Sequence, residues 1–395
     1  MHILFVVNAL DYFRAHRERL AVDLTARGHT VTVAAGNIEE APLDGWPQNI
    51  RLVPLELDKH SFRPLHDLKL IWHIRRLMAE EQPQVVHCFT IKPILMAGLA
   101  FALRSRRTAG SLVWTFAGLG KVFDNPKTPY LKFRKWLVAQ SLKMISVFNG
   151  AHATFENQAD RDSLVAAGVI PDNRAKAIMG TGIDLEHYRL PDFEHGADHE
   201  QASDVPLTFL MATRLIGEKG VDNFLKVAAQ CKANGAAARF VLAGMADHAN
   251  PDVISQDVID EAVDAGTIEF AGAVSQADMP ALLGSADIFC LPTRLREGFP
   301  RALLEAASCG VALIATDQLP MRTLIKPGQT GWLVNPPDAA HLQEAVDRAL
   351  DDPVATRQMG KNARTLVEQL PVDCDSVTDG FLQAYQQAQG RKVHG

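Results

Sequence analysis

Short runs of apolar residues alternate with amphipathic stretches through the first half of the chain. Residues Ile3–Val7 and Thr30–Ala34 are continuous β-rich runs, and the stretch between them, Arg14–Arg27, carries apolar residues at helical spacing up to Gly28. Continuous apolar runs of this length are typical of strands buried on both faces, whereas spacings of three and four are typical of a helix. The pattern therefore predicts a βαβ unit. Further strands are predicted at Val85–Phe89, Ser111–Phe116, Ala151–Glu156 and Ala175–Met179.

The same alternation restarts after a polar stretch, residues 191–204, that is rich in Asp, Glu and His. A polar stretch without periodicity is typical of a linker between domains. Beyond it the pattern predicts a strand at Leu207–Met211, a helix at Val221–Asn234, strands at Arg239–Ala243 and Thr267–Phe270, a helix at Ala277–Ser285, and strands at Ile288–Leu291 and Ala312–Ala315.

Two halves of alternating strands and helices indicate an α/β protein with two doubly wound, parallel-sheet domains. We expect the first domain to span residues 1–190 and the second to span residues 205–370. Ligands of doubly wound sheets bind outside the carboxyl ends of the strands, so two such sheets facing each other would leave one deep cleft between them.

The composition is that of an ordinary folded protein. Of 395 residues, 47% are apolar and 22% are charged, values that exclude a disordered chain, collagen or a coiled coil. The longest apolar run, Pro93–Leu103, is shorter than the ~18 residues that cross a bilayer. The first residues are interpreted as a buried strand and not as a secretion signal. Five widely spaced cysteines without a CxxC pair argue against a disulfide framework or a zinc site, so we expect a cytoplasmic protein.

Charge is distributed unevenly along the chain. Residues 1–190 carry 24 Lys+Arg against 18 Asp+Glu, whereas residues 191–395 carry 16 against 28. From Arg104 to Lys143 nine basic residues accompany one acidic residue, Asp124. Such a cluster attracts either anionic lipid headgroups or the phosphates of nucleic acid.

Aromatic residues within this basic cluster help to choose between the two partners. Tyr130, Phe133 and Trp136 come at helical spacing, and no nucleic-acid-binding motif accompanies them. An interfacial helix in the region Lys127–Lys143 explains both the basic and the aromatic residues, so we expect contact with the inner membrane surface and none with nucleic acid. The alternative is a solvated basic helix whose apolar stripe packs on the core, and the sequence leaves the two open.

Several common cofactor and nucleophile motifs are absent from the sequence. The loop after the first predicted strand has no GxGxxG, and no Walker A loop, HExxH pair or GxSxG turn occurs elsewhere. A nicotinamide-dependent dehydrogenase is therefore not expected.

Glu297 and Glu305 lie eight residues apart, across a predicted junction between a loop and a helix. Pro300 suits the first turn of that helix, and Gly310 suits its end. A helix that begins near Gly298–Arg301 would present N–H groups to phosphate or sugar oxygens. Glu305 could then accept hydrogen bonds from a vicinal diol such as a ribose, and Glu297 would face a transferred group. The simpler alternative is an amphipathic helix with a solvated Glu305.

A basic pair follows the strand predicted at Leu207–Met211, with Arg214 and Lys219 in the run RLIGEKG. Cations at the carboxyl end of a strand, beside glycines that let the backbone approach, suit the charge of a diphosphate without a metal ion. The alternative is an exposed loop in which Glu218 forms a salt bridge.

In combination these elements resemble retaining nucleotide-sugar glycosyltransferases of family 4, which have the GT-B fold. The resemblance covers nearly the whole chain. It rests on the order and spacing of the pair Arg214 and Lys219, the run Glu297–Glu305, the segment Gly180–Asp184, and Phe270–Gly272 as a turn before Gln276–Leu283. It implies two Rossmann-like domains facing across a cleft, a helix at about residues 375–389 packed back on the first domain, and neither a metal ion nor a cofactor.

By the same resemblance the second domain would bind a UDP-sugar. Arg214 and Lys219 would bind the donor diphosphate, and Glu297 would bind a hydroxyl of the donor sugar. These three residues are the candidate catalytic residues. Glu305 would bind the ribose hydroxyls. The remaining donor-binding candidates, at the start of the helix and around the base, are Gly298, Phe299, Pro300, Arg301, Gly244, Met245, Ala273 and Val274.

The first half narrows the resemblance to bacterial members that extend glycans linked to polyprenyl diphosphate, N-acetylgalactosaminyltransferases among them. The runs that carry it are Asn8–Arg17, Thr90–Pro93, Thr115–Phe123 and Thr154–Asn157. The sequence departs from the family by lacking its frequent Gly-Gly loop and by lacking a His where Thr115–Gly118 stands. The candidates for binding the acceptor are His16, Arg17, Lys92, Thr115 and Gly118.

The expected function is transfer of an α-linked hexose or N-acetylhexosamine, N-acetylgalactosamine in first place, from a UDP-sugar to a polyprenyl-diphosphate-linked saccharide. The expected enzyme is retaining, metal-independent, cytoplasmic and peripheral on the inner face of the cell membrane. The alternatives are a UDP-sugar epimerase of the same fold and a non-catalytic nucleotide-sugar-binding subunit of an assembly complex.

Overall fold

The structure is a computed structural model that describes residues 1–38, 44–57, 64–103, 110–123, 128–189, 205–247 and 250–390. The chain divides into two compact units. Unit 1 comprises Met1–Gly182 and Val372–Gly395, and unit 2 comprises Ile183–Pro371. Each unit is built on a parallel β-sheet.

The division between the units falls earlier than the boundary expected at residue 190. Residues 183–189 belong to unit 2. One reason is that the Arg364 side chain donates a hydrogen bond to the Leu185 carbonyl oxygen at 3.2 Å. The expected linker, residues 191–204, lies outside the described residues.

Unit 1 begins as alternating strands and helices around a seven-stranded sheet. Its strands are β1 His2–Val7, β2 Thr30–Ala35, β3 Arg51–Pro54, β4 Val85–Phe89, β5 Ser111–Phe116, β6 His152–Phe155 and β7 Ala175–Ala177. The helices up to β7 are α1 Leu10–His16, α2 Glu18–Ala26, α3 Pro64–Glu81, α4 Ile91–Ala102, α5 Gly120–Phe123, α6 Pro129–Asn149 and α7 Gln158–Ala166. The strands predicted for this half are confirmed, whereas β3 is short and only partly buried and escaped prediction.

The sheet of unit 1 has the parallel order β3-β2-β1-β4-β5-β6-β7. Successive side chains of a strand point to opposite faces, so alternate residues of β1 serve two cores. Phe5 packs with α1 and α2, whereas Leu4 and Val6 pack with α3, α4 and α6. The order reverses between the neighbours β1 and β4, where ligands of doubly wound sheets commonly bind.

A break at Arg17 divides the helix predicted at Arg14–Arg27. Helix α1 ends at His16, α2 begins at Glu18, and the Arg17 backbone leaves the helical region with φ −132° and ψ −12°. The Arg17 guanidinium is buried and forms an ion pair with Glu156. Because a buried charge needs its partner, this long-range pair holds the backbone at the break.

Unit 2 is built on a six-stranded parallel sheet. Its strands are β8 Leu207–Ala212, β9 Ala238–Ala243, β10 Glu269–Gly272, β11 Ile288–Leu291, β12 Ala312–Thr316 and β13 Gly331–Val334. Its helices are α8 Val221–Ala233, α9 Gln256–Asp264, α10 Met279–Gly284, α11 Arg301–Ser308, α12 Met321–Leu324, α13 Ala339–Asp351 and α14 Pro353–Glu368. The order is β10-β9-β8-β11-β12-β13, so the winding reverses between β8 and β11. Phe270–Gly272, predicted as a turn, belongs to β10 because it pairs with β9.

The last helix, α15 (Cys374–Gly390), lies in unit 1. It is joined to the sheet by polar contacts as well as by apolar packing. The Tyr385 hydroxyl lies 2.7 Å from Nδ1 of His87, and the Ser111 hydroxyl donates to the Ala388 carbonyl oxygen at 3.1 Å.

The five cysteines, all within the described residues, form no disulfide. Across the part of the chain that the structure describes, no helix combines the length and apolar character needed to span a bilayer.

His87 on β4 is fully buried between two hydroxyl groups. Its Nδ1 faces Tyr385, and its Nε2 lies 2.6 Å from Thr115 Oγ1. Burial, followed by the positive charge of Arg17, lowers the pKa of His87 well below its ordinary value. The imidazole therefore stays neutral in the folded protein at pH values where a solvated histidine is protonated.

We expect this neutral histidine to make the folded state less stable in acid. Below pH ~6.5 the unfolded chain binds a proton at His87 that the folded chain does not, so stability falls by up to about 1.4 kcal/mol per pH unit. The variant His87→Gln removes this contribution. Urea unfolding of both proteins between pH 7.5 and 5 should give a steeper loss for the wild type, and parallel profiles would contradict the assignment.

Candidate functional site

Two loops meet at the carboxyl ends of β8 and β11, where the winding of unit 2 reverses. Arg294 joins the loop after β11 to the loop after β8. Its backbone N–H donates to the Glu218 carbonyl oxygen at 2.8 Å, and its guanidinium lies 2.8 Å from Asp222 Oδ1. A reversal of winding is the usual ligand position in such sheets, so these loops form the candidate site.

Gly220, between the first of these loops and α8, lets the two loops approach closely. Its φ is +88°, and a Cβ at this position would collide with the Pro292 carbonyl oxygen. Residues with a side chain rarely adopt this backbone conformation, and here they would also push the second loop away.

Two polar side chains from these loops contact the Glu297 carboxylate. Lys219 Nζ lies 2.6 Å from Glu297 Oε1, and the Thr293 hydroxyl donates to the same oxygen at 3.1 Å. The side chains of Lys219 and Glu297 are only 14% and 17% exposed. The structure thus brings together two of the predicted catalytic residues as a shielded ion pair. Thr293, fully buried, was missed because nothing in its local sequence marks it.

The backbone on both sides of Arg296 is held by a side chain from a third loop. Gln318, after β12, accepts a hydrogen bond from the Glu297 N–H at 3.1 Å and donates one to the Leu295 carbonyl oxygen at 2.7 Å. The sequence analysis did not identify Gln318 either, because this residue lies outside the run Glu297–Glu305.

Arg214 lies in the loop after β8 and pairs with Asp247 at 2.9 Å. Its side chain is 57% exposed, so it is accessible to a ligand. Asp247 is a partner that the sequence did not indicate.

The segments predicted to surround a base lie beside the Arg214 loop. Gly244 donates its N–H to the Gly272 carbonyl oxygen at 2.8 Å, and the Leu215 N–H donates to the Met245 carbonyl oxygen at 3.0 Å. Ala273 follows Gly272 directly, and it and Met245 are exposed, while Val274 is partly buried. Backbone hydrogen bonds therefore bring Gly244 and Met245 to the edge that carries Arg214, and Ala273 and Val274 follow Gly272 along the chain.

Helix α11 begins at Arg301, with Pro300 as its N-cap residue instead of in its first turn. Gly298, Phe299 and Pro300 are buried at this start. Proline offers no side-chain acceptor, and N–H groups in the first turn of a helix can donate to an anion.

Glu305, one turn into α11, is buried and not solvated. Arg301 Nε donates to Glu305 Oε1 at 2.7 Å. Tyr188 is buried nearby, and its burial, followed by the negative charge of Glu305, raises the pKa of the Tyr188 hydroxyl. Neither neighbour was predicted, and the hydrogen bond from Arg301 holds the glutamate in place.

The charges of the candidate site are already paired with opposite charges from the protein. Within the described ranges, no group of three or more His, Cys, Asp or Glu side chains is arranged to hold a metal ion. The basic side chains and the N-terminus of α11 can bind an anionic ligand, and the carboxylates can accept hydrogen bonds from hydroxyl groups of that ligand.

The acceptor candidates lie in unit 1, and three of the five are buried. Arg17 pairs with Glu156, Lys92 Nζ lies 3.1 Å from Asp67 Oδ1, and Thr115 bonds to His87. His16 and Gly118 are partly exposed. The buried side chains are engaged inside the unit, and a contact between any of the five and an acceptor stays a prediction.

Helix α6 begins after Thr128, whose hydroxyl accepts the Leu131 N–H at 3.2 Å; Lys127, where the predicted region starts, lies outside the described residues. Leu142 and Ile145 are buried, and the helix packs on α4, as the packed-helix alternative expects. The same helix also exposes a large apolar set: Tyr130, Phe133, Trp136, Leu137, Met144, Val147 and Phe148.

Two family models match the chain. Residues 15–186 match Glycosyltransferase Family 4, and residues 197–366 match Glycosyl transferases group 1. With two doubly wound parallel sheets, these matches define a glycosyltransferase of the GT-B type. Both halves of the chain are thus similar to glycosyltransferases, as the sequence predicted.

Curated relatives and solved structures agree with this assignment. The N,N'-diacetylbacillosaminyl-diphospho-undecaprenol alpha-1,3-N-acetylgalactosaminyltransferase of Campylobacter jejuni is 28% identical over 361 residues, which cover 87% of this chain and 89% of the relative. The sucrose-phosphate synthase of Thermosynechococcus elongatus has a TM-score of 0.77 at 19% identity, covering 98% of this chain and 99% of that chain. HepE of Anabaena, solved in complex with UDP, has a TM-score of 0.73 at 17% identity, with 98% and 100% covered. The two solved structures show the fold alone.

We expect Gly220→Ala to destabilise the protein more than Gly235→Ala. Both glycines have positive φ, +88° and +68°, so an alanine at either strains the backbone by roughly 1–2 kcal/mol. A Cβ at Gly235 meets no atom within 4 Å, whereas one at Gly220 meets Pro292, which should add about 1–3 kcal/mol. Urea unfolding measures the difference, and equal losses would contradict the close approach of the loops.

Proposed function

We propose that this glycosyltransferase moves an α-linked hexose or N-acetylhexosamine, N-acetylgalactosamine in first place, from a UDP-sugar to a polyprenyl-diphosphate-linked saccharide. The observation that carries the proposal is the Lys219–Glu297 pair at the reversal of winding in unit 2, beside the start of α11. The name of the Campylobacter jejuni relative gives an undecaprenol-diphosphate-linked acceptor and N-acetylgalactosamine, which supports the choice of acceptor and sugar.

In this proposal Arg214 and Lys219 bind the diphosphate of the donor. Both stand on the loop after β8, and each now pairs with a carboxylate, Asp247 or Glu297. Phosphate oxygens accept charge-assisted hydrogen bonds from such cations, and the N-terminus of α11 adds its dipole. These groups stabilise the negative charge that grows on the leaving diphosphate, so the proposed enzyme is metal-independent.

In this proposal Glu305 and Glu297 bind different parts of the donor. A carboxylate has two acceptor oxygens and about four lone-pair sites. Glu305 can therefore hold Arg301 and still accept hydrogen bonds from the ribose hydroxyls. Glu297, in the loop before α11, accepts from a hydroxyl of the donor sugar.

Retention requires the acceptor hydroxyl to attack on the face that the nucleotide leaves. We assign a front-face displacement, in which the acceptor oxygen forms its bond to the anomeric carbon as the bond to the diphosphate breaks. A phosphate oxygen of the leaving UDP takes the hydroxyl proton. The contribution of the protein is then electrostatic stabilisation and positioning, without a nucleophilic side chain.

The surface of unit 1 supports a position on the inner face of the cell membrane. In its described residues, the exposed large apolar side chains all lie on α3, at the end of α4 or on α6, and these are Leu65, Leu68, Trp72, Leu103, Tyr130, Phe133, Trp136, Leu137, Met144, Val147 and Phe148. Helix α6 carries exposed Lys132 and Lys143 and no acidic residue. Aromatic side chains and lysines together suit an anionic lipid surface, where the acceptor would be found.

Lipid-dependent release of UDP tests the proposal. The protein is incubated with a panel of UDP-sugars, with and without a lipid extract of bacterial membranes. We expect UDP release only with both substrates, fastest with UDP-N-acetylgalactosamine, unchanged by EDTA, and an α-linked product from the α-linked donor. Sugar isomerisation without lipid would identify an epimerase, donor binding without turnover would identify a non-catalytic subunit, and loss in EDTA restored by Mn²⁺ would identify a metal-dependent enzyme.

We expect the two glutamates to differ in a kinetic and binding comparison. Glu305→Gln should weaken UDP and UDP-sugar alike, because the ribose is common to both. Glu297→Gln should lower kcat by about 10–100-fold without weakening UDP binding, because UDP lacks the sugar and Lys219 stays available to the diphosphate. Calorimetric titration with UDP and steady-state kinetics separate the two, and equal losses of UDP affinity would refute the division.

We expect the variant that combines Lys132→Ser, Phe133→Ser and Trp136→Ser to bind anionic liposomes more weakly than the wild type. The measurement is the fraction of protein that sediments with the liposomes. Lys135 is kept, because its ammonium donates to the Phe123 carbonyl oxygen at 2.8 Å. Loss of one cation and two aromatic contacts should reduce binding by at least about tenfold and lower activity on a long-chain acceptor, but spare a short-chain soluble one.

The matched control for this variant is Lys226→Ser, Val258→Ser and Val354→Ser, which removes one exposed cation and two exposed apolar side chains from unit 2. The control should sediment with liposomes like the wild type. If the α6 variant also does so in moderate salt, α6 is an ordinary packed helix.

A further inference from the structure

Gln318 contacts the candidate site with both ends of its side-chain amide. It lies in the loop between β12 and α12 and is half-buried. Its oxygen accepts the Glu297 N–H at 3.1 Å, while its nitrogen donates to the Leu295 carbonyl oxygen at 2.7 Å. The amide therefore pairs with the backbone as a neighbouring strand would.

Few side chains can make this pair of contacts. Only Asn and Gln carry a carbonyl acceptor and an N–H donor on one planar group. Asparagine is one methylene shorter, and a glutamate at position 318 would place an acceptor opposite the Leu295 carbonyl. The contact thus depends on the chemistry of Gln318 and on its length.

The loop that carries Glu297 is also held by a contact from the end of β12. The Thr316 hydroxyl, at the end of β12, donates to the Thr293 carbonyl oxygen at 2.6 Å, and the Thr293 hydroxyl in turn donates to the Glu297 carboxylate. The backbone of Glu297 is thus fixed from β12, while its carboxylate is fixed by Lys219 from the loop after β8.

We propose that Gln318 is a positioning residue for sugar transfer, which fixes the direction of the Glu297 side chain toward the donor sugar. This inference rests on the proposed role of Glu297. A catalytic side chain misplaced by about 1 Å can cost two orders of magnitude in rate, so a backbone clamp beside it has a kinetic effect. Glu305 stands on α11 with its own partner, Arg301, so ribose binding does not depend on this clamp.

The test is a double-mutant cycle between Gln318 and Glu297. Gln318→Leu should lower kcat at least about tenfold and leave the calorimetric Kd for UDP within about twofold. In the Glu297→Gln background the same substitution should change kcat less than about twofold, because the side chain that it positions is already disabled. Gln318→Asn, which keeps both polar groups on a shorter side chain, should show the same pattern as Gln318→Leu.

The matched control is Gln358→Leu on α14, where the amide nitrogen donates to Asn362 Oδ1 at 3.1 Å within the same helix. Its kcat and unfolding midpoint should match the wild type. If the losses caused by Gln318→Leu and Glu297→Gln multiply, or if UDP affinity falls in parallel with kcat, the positioning role is overturned. If Glu297→Gln alone leaves kcat unchanged, the proposed role of Glu297 fails first, and the inference fails with it. Should Gln318→Leu fold poorly, the cycle is measured with Gln318→Asn, and the same outcomes apply.

Discussion

The ion pair between Lys219 and Glu297 is the contact on which the edge of unit 2 depends. Both side chains are mostly shielded from water, so each charge needs the other. The pair joins the loop after β8 to the loop after β11, which meet because these strands are neighbours in the sheet. A cation and a carboxylate are thereby held side by side before any ligand arrives, which reduces the ordering that binding must supply.

The other charges of this edge follow the same arrangement. Arg214 is paired with Asp247, and Arg301 is paired with Glu305. A diphosphate that binds to such cations exchanges one anionic partner for another, so only the difference between two interactions contributes to affinity. Selectivity then depends on the geometry of the anion and of the sugar hydroxyls, and that geometry is set by backbone contacts such as those of Arg294, Gly220 and Gln318.

Unit 1 distributes its polar and apolar groups differently. Ion pairs such as Arg17–Glu156 and Lys92–Asp67 lie in its interior, whereas the exposed large apolar side chains of its described residues lie on α3, on α6 and at the end of α4. The first pair ties the break between α1 and α2 to the residue that follows β6, and the second ties α4 to α3. The exposed apolar side chains are the observation behind the proposed contact of unit 1 with a membrane surface.

Local patterns were sufficient for much of the fold. The strands β4, β5 and β11 have the predicted bounds, because a continuous apolar run is a local property of a strand buried on both faces. The order of the motifs also indicated the loops after β8 and β11. Only the tertiary structure decided that Arg17 breaks a helix, that Lys92 is buried, that Glu297 bonds to Lys219 and that Gln318 clamps its backbone. These contacts join residues far apart in the chain, and which partners meet depends on the spacing of strands and loops across the whole sheet, which no local pattern contains.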